Sequence, residues 1–270
     1  MKDRSIRQFP QYIDQLQANG QYWFLRRDAQ QAMALSDNAM TKALWRLAKK
    51  KAICRIRGDF YVIVPLEYQA SGCLPSEWFI EAFMNHLGLD YYVALLTAAS
   101  FEGAAHQQVM AFQVMTNGNL RTIVAGNQRI TFHYKKTLPV QFLQKKKTPA
   151  SYFKLSIPEL TAFDLLRYID VSGQINSVAT VLYELAEKLN VDVMNELLRS
   201  GMVKLPVAQR LGYVLDSIKA DVMLHDFEKA VNQFKLKYIP LVAGTTNKVL
   251  IERNKRWHVL VNEHIEMDEL

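Results

Sequence analysis

Residues 36–64 combine two successive hydrophobic patterns, first that of a helix and then that of a β-hairpin. Ser36 is suited to cap a helix, and Asp37 follows in the first turn, where the helix dipole favours a negative charge. Apolar residues then recur at spacings of three and four, which places them on one helix face. They are Met40, Ala43, Leu44, Leu47 and Ala48.

The opposite face of this predicted helix is polar and cationic. It carries Asn38, Thr41, Lys42, Trp45, Arg46 and Lys49. β-type runs at 53–57 and 60–64 follow, and Gly58-Asp59 between them is a two-residue hairpin signal. The hairpin carries Arg55 and Arg57. A cationic helix followed by a basic hairpin is typical of a winged helix-turn-helix, whose helix enters the major groove and whose hairpin, the wing, contacts phosphates or the minor groove.

The residues before this segment complete the winged-helix order. Residues 6–18 predict a helix that ends at Asn19-Gly20, residues 22–24 an extended link, and residues 26–33 a second helix. The predicted DNA-binding residues are Asn38, Thr41, Lys42, Trp45, Arg46, Lys49, Arg55, Arg57 and Gly58. Trp45 has two readings, since it could face DNA or pack in the core against the first helix.

Helical and strand patterns alternate in the remaining chain. Helices are predicted at 77–87, 90–100, 175–189, 191–200, 206–218 and 221–233. A further helix, to about residue 169, opens with Ser156-Ile157-Pro158-Glu159, which has the S-x-x-E form of a capping box. Runs at 109–115, 120–124 and 129–134 predict an antiparallel meander. Further strands are predicted at 152–155, 238–242, 248–251 and 257–261, of which the last three are candidates to complete the same sheet.

These patterns predict an α/β (α+β) protein with two domains. The first is a winged helix-turn-helix at residues 1–65. A linker at 66–74 leads to a larger mixed α/β domain at 75–270.

The charge is concentrated in the first of these domains. Residues 1–64 hold 12 Lys+Arg and 5 Asp+Glu, which gives +7, whereas residues 65–270 hold 21 of each. A basic first quarter followed by a remainder without net charge indicates a nucleic-acid-binding module joined to a domain with another function. The alternative is a basic face that serves only solubility.

A second basic stretch extends over residues 103–158, which hold eight cations and no Asp or Glu. Five of its lysines are candidates for a second phosphate-binding surface: Lys135, Lys136, Lys145, Lys146 and Lys147. The alternative is a basic loop at 145–147 on the edge of an ordinary sheet, where lysines discourage strand pairing.

Few signals of catalysis are present. Cys54 and Cys73 form no C-x-x-C, and the histidines show no H-E-x-x-H spacing, so we expect no metal and no disulfide framework. No P-loop, G-x-S-x-G or G-x-G-x-x-G occurs, so we expect no cofactor and no catalytic residue. Residues 226–229 have a D-x-E-K form similar to metal nucleases, but a helical pattern contains them. Without a signal peptide or a long apolar run, we expect a cytoplasmic protein with no membrane span.

Several segments, taken in order, resemble one known family. They are the hairpin end CRIRGDFYVIVP at 54–65 and the segments 92–104, 130–133, 158–165, 209–215 and 257–262. The chain resembles the AbiEi-type antitoxins of type IV toxin–antitoxin, or abortive-infection, systems. A position before the wing that is often Gly in that family holds Lys51 here.

This resemblance implies a repressor of its own promoter that takes part in phage defence. It implies that the second domain neutralises a nucleotidyltransferase-like toxin of the same operon without forming a stable complex. Since no coiled-coil heptad is present, we expect a monomer in solution, two copies of which meet on an inverted repeat in double-stranded DNA. The alternative function is a nucleic-acid-processing enzyme with a metal-dependent, nuclease-like α/β domain delivered by a winged helix. A third is a stand-alone regulator without a toxin.

Overall fold

The computed structural model describes residues 4–104, 110–244 and 252–266, and the chain divides into two compact units. Unit 1 is Met1–Tyr92, Met110–Lys136 and Lys145–Lys154; unit 2 is Val93–Val109, Thr137–Gln144 and Leu155–Leu270. The architecture is mixed α+β, as predicted. The domain limits at 65 and 75 stay a prediction, because unit 1 holds residues 1–65 together with later segments.

Unit 1 begins with helices and strands that confirm the elements predicted for residues 6–64. They are α1 (Arg4–Ala18), β1 (Trp23–Leu25), α2 (Arg26–Ala32), α3 (Asp37–Lys49), β2 (Ile53–Arg57) and β3 (Phe60–Ile63). The extended link is the strand β1, which pairs antiparallel with β3 in a sheet of order β1-β3-β2.

The apolar stripe of α3, except for the exposed Ala48, lies in or against a core shared with the first helix and the small sheet. Met40 is fully buried and Leu44 nearly so, and they cluster with Phe9, Ile13 and Phe24. Burying one stripe of α3 leaves its opposite face in solvent.

A sheet of six strands follows, with most residues of each strand in unit 1. Its strands are β4 (Tyr91–Val93), β5 (Phe112–Thr116), β6 (Ile123–Ala125), β7 (Gln128–Tyr134), β8 (Leu143–Lys147) and β9 (Tyr152–Ser156). They lie in the order β6-β7-β5-β4-β9-β8, and α4 (Ile80–Leu87) precedes them in the chain.

The predicted antiparallel meander is wrong. β5 pairs with β7 in parallel, and β6 pairs antiparallel with β7 at the sheet edge. β5 is buried over almost its whole length, which suits an interior strand, whereas Val124 in the middle of β6 is 68% exposed. β5 therefore lies inside the sheet between β7 and β4, and β6 forms the edge.

One further prediction in this region is wrong, and so is the loop in the alternative reading of residues 145–147. The segment 90–100 is not one helix, because Tyr91–Val93 is a strand and only α5 (Leu95–Phe101) is helical. The first part of the segment 90–100 contains aromatic and β-branched residues, which favour a strand. The segment 145–147 belongs to the edge strand β8 and is not a loop.

Unit 2 is mainly helical. Besides α5 it contains α6 (Pro158–Arg167), α7 (Gln174–Leu185), α8 (Val191–Arg199), α9 (Leu205–Ser217) and α10 (Asp221–Val231). α6 is buried from Glu159 to Leu166 and contacts α5, α7, α8 and α9. None of the described helices is long and apolar enough to cross a membrane.

The late strands do not complete the earlier sheet. β10 (Ile239–Pro240), β11 (Glu252–Asn254) and β12 (Val259–Val261) form their own sheet, in the order β10-β12-β11. The strand predicted at 248–251 lies outside the described residues.

The predicted capping box does not form. The N-cap of α6 is Ile157, so Ser156 lies one position too early. The hydroxyl oxygens of Ser156 and Thr161 are 2.6 Å apart, and Glu159 Oε1 accepts a hydrogen bond from Asn190 N at 2.8 Å. The polar groups of this segment therefore connect neighbouring elements of unit 2.

Candidate nucleic-acid interface

The polar face predicted for α3 is exposed to solvent. Ser36 caps the helix by accepting a hydrogen bond from Ala39 N at 3.4 Å. The exposed residues are Asn38, Thr41, Lys42, Trp45, Arg46 and Lys49. We refer to these six residues as the outer face of α3. It presents an amide, a hydroxyl, an aromatic ring and three cations along one side of a helix, which are the groups that read base edges and hold phosphates.

Trp45 lies on this face and not in the core. Its side chain is 63% exposed, and Lys49 Nζ lies 5.2 Å from the centre of its ring. This cation–π contact places a positive charge and an aromatic surface side by side. The alternative in which Trp45 packs in the core is therefore wrong.

The β2–β3 hairpin lies next along the chain and carries two exposed arginines, Arg55 and Arg57. A β-bulge occurs between them, and Gly58 in the turn has a φ of +57°. Arg55 Nε donates to Gly58 O at 2.7 Å, so the guanidinium group is fixed on the hairpin. Arg57 directly precedes the turn.

The turn of the hairpin is held from two sides within unit 1. Arg26 N donates to Asp59 O at 2.8 Å, and His86 Nε2 lies 3.0 Å from Asp59 Oδ1. Arg27 Nε lies 3.9 Å from Asp59 Oδ2. Contacts to α2 and α4 therefore fix the hairpin.

Sequence reasoning missed Arg26, whose role depends on contacts with residues distant in the chain. Its Nη2 lies 2.6 Å from Asp37 Oδ1 and 3.0 Å from Thr41 Oγ1. It also missed the exposed Lys50 and Lys51, which continue the positive charge beyond α3. The signal for these two was the unbroken run Lys49–Lys51.

Lys51 occupies a left-handed conformation, with a φ of +54°. Its N–H donates to Ala48 O at 2.9 Å and so ends α3. Glycine is the residue best suited to such a position after a helix. In the family that the sequence resembles, this position is often Gly. Lys51 occupies it here only in a strained conformation.

The second group of predicted cations is only partly assembled. Lys136, Lys145 and Lys147 are exposed, and Lys146 is half-buried on the edge strand β8. Lys135 differs, because it is 6% exposed and its Nζ donates to Tyr92 Oη at 2.8 Å. Lys135 therefore does not belong to an exposed phosphate surface.

The segment with the D-x-E-K form lies on helix α10. Asp226 pairs with Lys229 at 3.0 Å, whereas Glu228 pairs with Arg256 at 2.8 Å. Phe227 between them is buried. The two carboxylates have different partners and do not converge on one point. Within residues 4–104, 110–244 and 252–266, no three side chains of His, Cys, Asp or Glu form a group suited to a metal.

A solved structure has a similar fold. It is the crystal structure of the RV2827C protein from Mycobacterium tuberculosis, with a TM-score of 0.66 and 11% sequence identity. The similarity covers 92% of this chain and 89% of that chain, and at this identity it concerns the fold alone. No curated protein matches the chain.

The central part of the chain matches one family. Residues 92–217 match the model of the AbiEi antitoxin C-terminal domain. The match covers the segments 92–104, 130–133, 158–165 and 209–215 that carry the resemblance in the sequence. The matched residues 92–217 are thus similar to an AbiEi antitoxin C-terminal domain, which supports an antitoxin role in a toxin–antitoxin system.

Proposed function

We propose that the chain is a DNA-binding autorepressor as well as an antitoxin, and that its toxin–antitoxin system is of type IV. The observation that carries the DNA-binding part is the outer face of α3: all six of its residues are exposed, while the opposite face lies in a core. The helix order, the β2–β3 hairpin and the arginines on it support a winged helix-turn-helix.

In this proposal α3 enters the major groove. The Asn38 amide presents a donor and an acceptor side by side, and the Arg46 guanidinium presents two donors, so both read base edges. Lys42 and Lys49 neutralise phosphates. Trp45 packs on deoxyribose or a thymine methyl group. The hairpin then lies over the adjacent backbone, where Arg55 and Arg57 contact phosphates. Repression follows because the bound protein occupies the promoter.

The antitoxin activity is proposed to act on a nucleotidyltransferase-like toxin without a stable complex. The match to the antitoxin domain at residues 92–217 supports the antitoxin role. The class of toxin rests on the family resemblance of the sequence. We propose no catalytic step for the chain itself, since Asp226 and Glu228 point to separate cationic partners.

The direct test is a footprint on DNA from upstream of the gene. We expect the purified chain, a monomer by light scattering, to protect an inverted repeat whose half-sites are separated by whole helical turns of about 10 bp. Protection should persist in Mg²⁺ without cleavage. A footprint without a repeat, or a tight dimer without DNA, contradicts this binding mode, and cleavage of plasmid DNA favours a nuclease.

The hairpin arginines give a sharper prediction. Arg55→Ala and Arg57→Ala should each weaken binding to all sequences alike and reduce the slope of log K against log salt by about one unit, because each removes one phosphate contact. Titrations at several salt concentrations measure the slope. Lys229→Ala, which removes an exposed cation of α10, is the control. An unchanged slope in both arginine variants contradicts the placement of the hairpin on the backbone.

The exposed lysines Lys136, Lys145 and Lys147 are proposed as a second phosphate-binding surface. A chain with Lys145→Glu and Lys147→Glu should lose either operator binding or protection from the toxin, since two charges are reversed on one strand edge. Footprinting and a growth assay with the cognate toxin separate the two results. If neither activity changes, the lysines serve only to keep the edge strand from pairing.

A further inference from the structure

The two cysteines of the chain are distant in sequence but adjacent in the fold. Cys54 lies on strand β2 of the hairpin, and Cys73 lies in the segment that leads to α4. Both thiols are free, both residues belong to unit 1, and a hydrogen bond joins the two side chains. A bond between the sulfur atoms would therefore connect the hairpin to the segment before α4.

Strand alternation directs the side chain of Cys54 away from the core beneath α3. Ile53 lies in that core, so the next side chain of β2 points to the opposite face of the small sheet. Cys54 pairs with Val62, and Phe60, two positions from Val62, packs its ring against that of Phe83 on α4. Later parts of unit 1 thus cover the face that carries Cys54.

The backbone at Cys73 is fixed by the turn between β6 and β7. Asn127 N donates to Ser71 O at 2.9 Å. Gly126 lies so close that a Cβ atom on it would be 2.8 Å from Cys73 N. β6 itself contacts β2. The same edge strand therefore lies against the hairpin strand of Cys54 and next to the segment of Cys73.

The two thiols differ in accessibility and acidity. Cys54 is partly exposed, whereas Cys73 is fully buried. The hydrogen bond from the Cys73 thiol stabilises the Cys54 thiolate and lowers the pKa of Cys54, although burial opposes this. The same hydrogen bond, together with burial, raises the pKa of Cys73. An accessible thiol with a lowered pKa is the one that an oxidant attacks first.

We infer that Cys54 and Cys73 are a peroxide-sensitive disulfide site, in which Cys54 is the attacking thiol and Cys73 the resolving thiol. The site is a modification site on the strand that also carries Arg55. The inference goes beyond the proposed function and does not depend on DNA binding.

The oxidant is a peroxide, and the reaction has two steps. The Cys54 thiolate attacks one oxygen of hydrogen peroxide, so that an S–O bond forms, the O–O bond breaks and the leaving hydroxide takes up a proton as water. Cys54 is then a sulfenic acid, oxidised by two electrons. The Cys73 sulfur attacks the Cys54 sulfur, an S–S bond forms, and the S–O bond breaks. The second hydroxide leaves with the Cys73 proton as water.

The second step is favoured by the first. The Cys54 thiolate is the main cause of the raised pKa of Cys73, through its hydrogen bond and its charge. A sulfenic acid carries no such charge, so the Cys73 proton is released more easily once Cys54 has reacted.

The test treats the reduced full-length chain with a small molar excess of hydrogen peroxide, blocks the remaining thiols in denaturant and digests the chain with trypsin. Trypsin cleaves after Arg55 and Arg57, between the cysteines. We expect the peptide 52–55 joined to the peptide that begins at Gly58, lighter by two hydrogen atoms than the separate peptides and released by dithiothreitol. Two unmodified thiols after the treatment, or a bridge between two chains on a non-reducing gel, overturns the inference.

Each single variant has its own expected product. In Cys73→Ser the sulfenic acid of Cys54 lacks a resolving thiol and should accumulate, so that dimedone traps it. In Cys54→Ser the buried Cys73 should react with peroxide more slowly than Cys54 does in Cys73→Ser, by a factor on the order of ten or more. Equal rates in the two variants overturn the inference, because neither thiol would then be the attacking one.

A thermal melt shows whether the bridge fits the fold. Because the thiols are already neighbours, oxidation should raise the melting temperature of the natural chain by on the order of 5 °C. The double variant Cys54→Ser/Cys73→Ser forms no bridge and is the matched control for methionine oxidation by the same treatment. A melting temperature that falls only in the natural chain would show that the bridge distorts the fold, and the inference would be wrong. None of these measurements uses DNA, so their outcome is separate from that of the footprint.

Discussion

A chain in which Lys42, Arg46 and Lys49 are all replaced by alanine should bind its operator at least about a thousandfold more weakly than the natural chain. The loss of Arg46 alone costs about 1–3 kcal/mol if it reads a base. Lys42 and Lys49 add the loss of two phosphate contacts, so that the total reaches about 4 kcal/mol, which corresponds to about three powers of ten. All three side chains are exposed, so the fold should be unaffected.

Titration of a labelled operator duplex measures this effect. The matched control replaces Lys204, Lys229 and Lys235, three exposed lysines of unit 2, with alanine and so changes the net charge equally. Equal weakening in both triple variants would show that net charge, and not the outer face of α3, determines affinity. Promoter repression should be lost in the α3 variant, while protection from the cognate toxin is kept.

Point substitutions are a better way to separate the two activities than deletion of the first 65 residues. In unit 1 the ring of Phe60 lies 5.3 Å from that of Phe83, and the ring of Tyr22 lies 5.3 Å from that of Trp78. A deletion would remove Phe60 and Tyr22 and uncover Phe83, which is fully buried. Loss of protection after such a deletion would therefore report on folding as much as on function.

Elements that depend on nearby residues could be predicted from the sequence. The helix cap at Ser36, the periodic apolar stripe of α3 and the Gly58-Asp59 turn all act within a few residues, and the structure has each of them. Because one stripe of α3 is apolar, its outer face could be identified before the structure was known. The sequence did not decide whether Trp45 is exposed or buried, since an aromatic ring is stable in both environments.

Features that depend on distant residues could not be predicted. β5 pairs with β7 instead of with β6, which is nearer in the chain, and no local pattern encodes this choice. The contacts of Arg26 join residues 11 and 15 positions apart, through side chains whose directions are set by the fold. The burial of Lys135 against Tyr92 likewise contradicts the usual exposure of lysine.

Two of the segments that resemble the antitoxin family meet in unit 2. Gln209 Nε2 donates to Trp257 O at 2.9 Å, and Trp257 Nε1 donates to Asp216 Oδ2 at 3.1 Å. Trp257 is fully buried and packs over Gly212 of α9. The two segments, each weak as a sequence signal, thus belong to one packing arrangement in which the glycine makes room for the ring.

Gly212→Ala should therefore destabilise the protein by about 3 kcal/mol or more, the upper end of the range for overpacked sites. A Cβ atom at residue 212 would lie 2.2 Å from Trp257 Cε3, well inside van der Waals contact. The hydrogen bond to Asp216 and the neighbouring ring of Phe227 keep Trp257 from moving away. For a chain of this size the melting temperature should fall by about 6–12 °C.

Replacing glycine by alanine inside a helix normally stabilises the helix by about 1 kcal/mol. A destabilising Gly212→Ala would therefore show that the contact with Trp257 outweighs this helix preference. Ser217→Ala, at an exposed position of the same helix, should change stability by no more than about 0.5 kcal/mol and serves as the control. In a chain that already carries Trp257→Leu, the destabilisation by Gly212→Ala should shrink, since the ring that it meets is gone. Thermal and urea unfolding measure all four variants. A Gly212→Ala chain as stable as the natural one would show that Trp257 can move, and that the contact between these two segments does not hold unit 2 together.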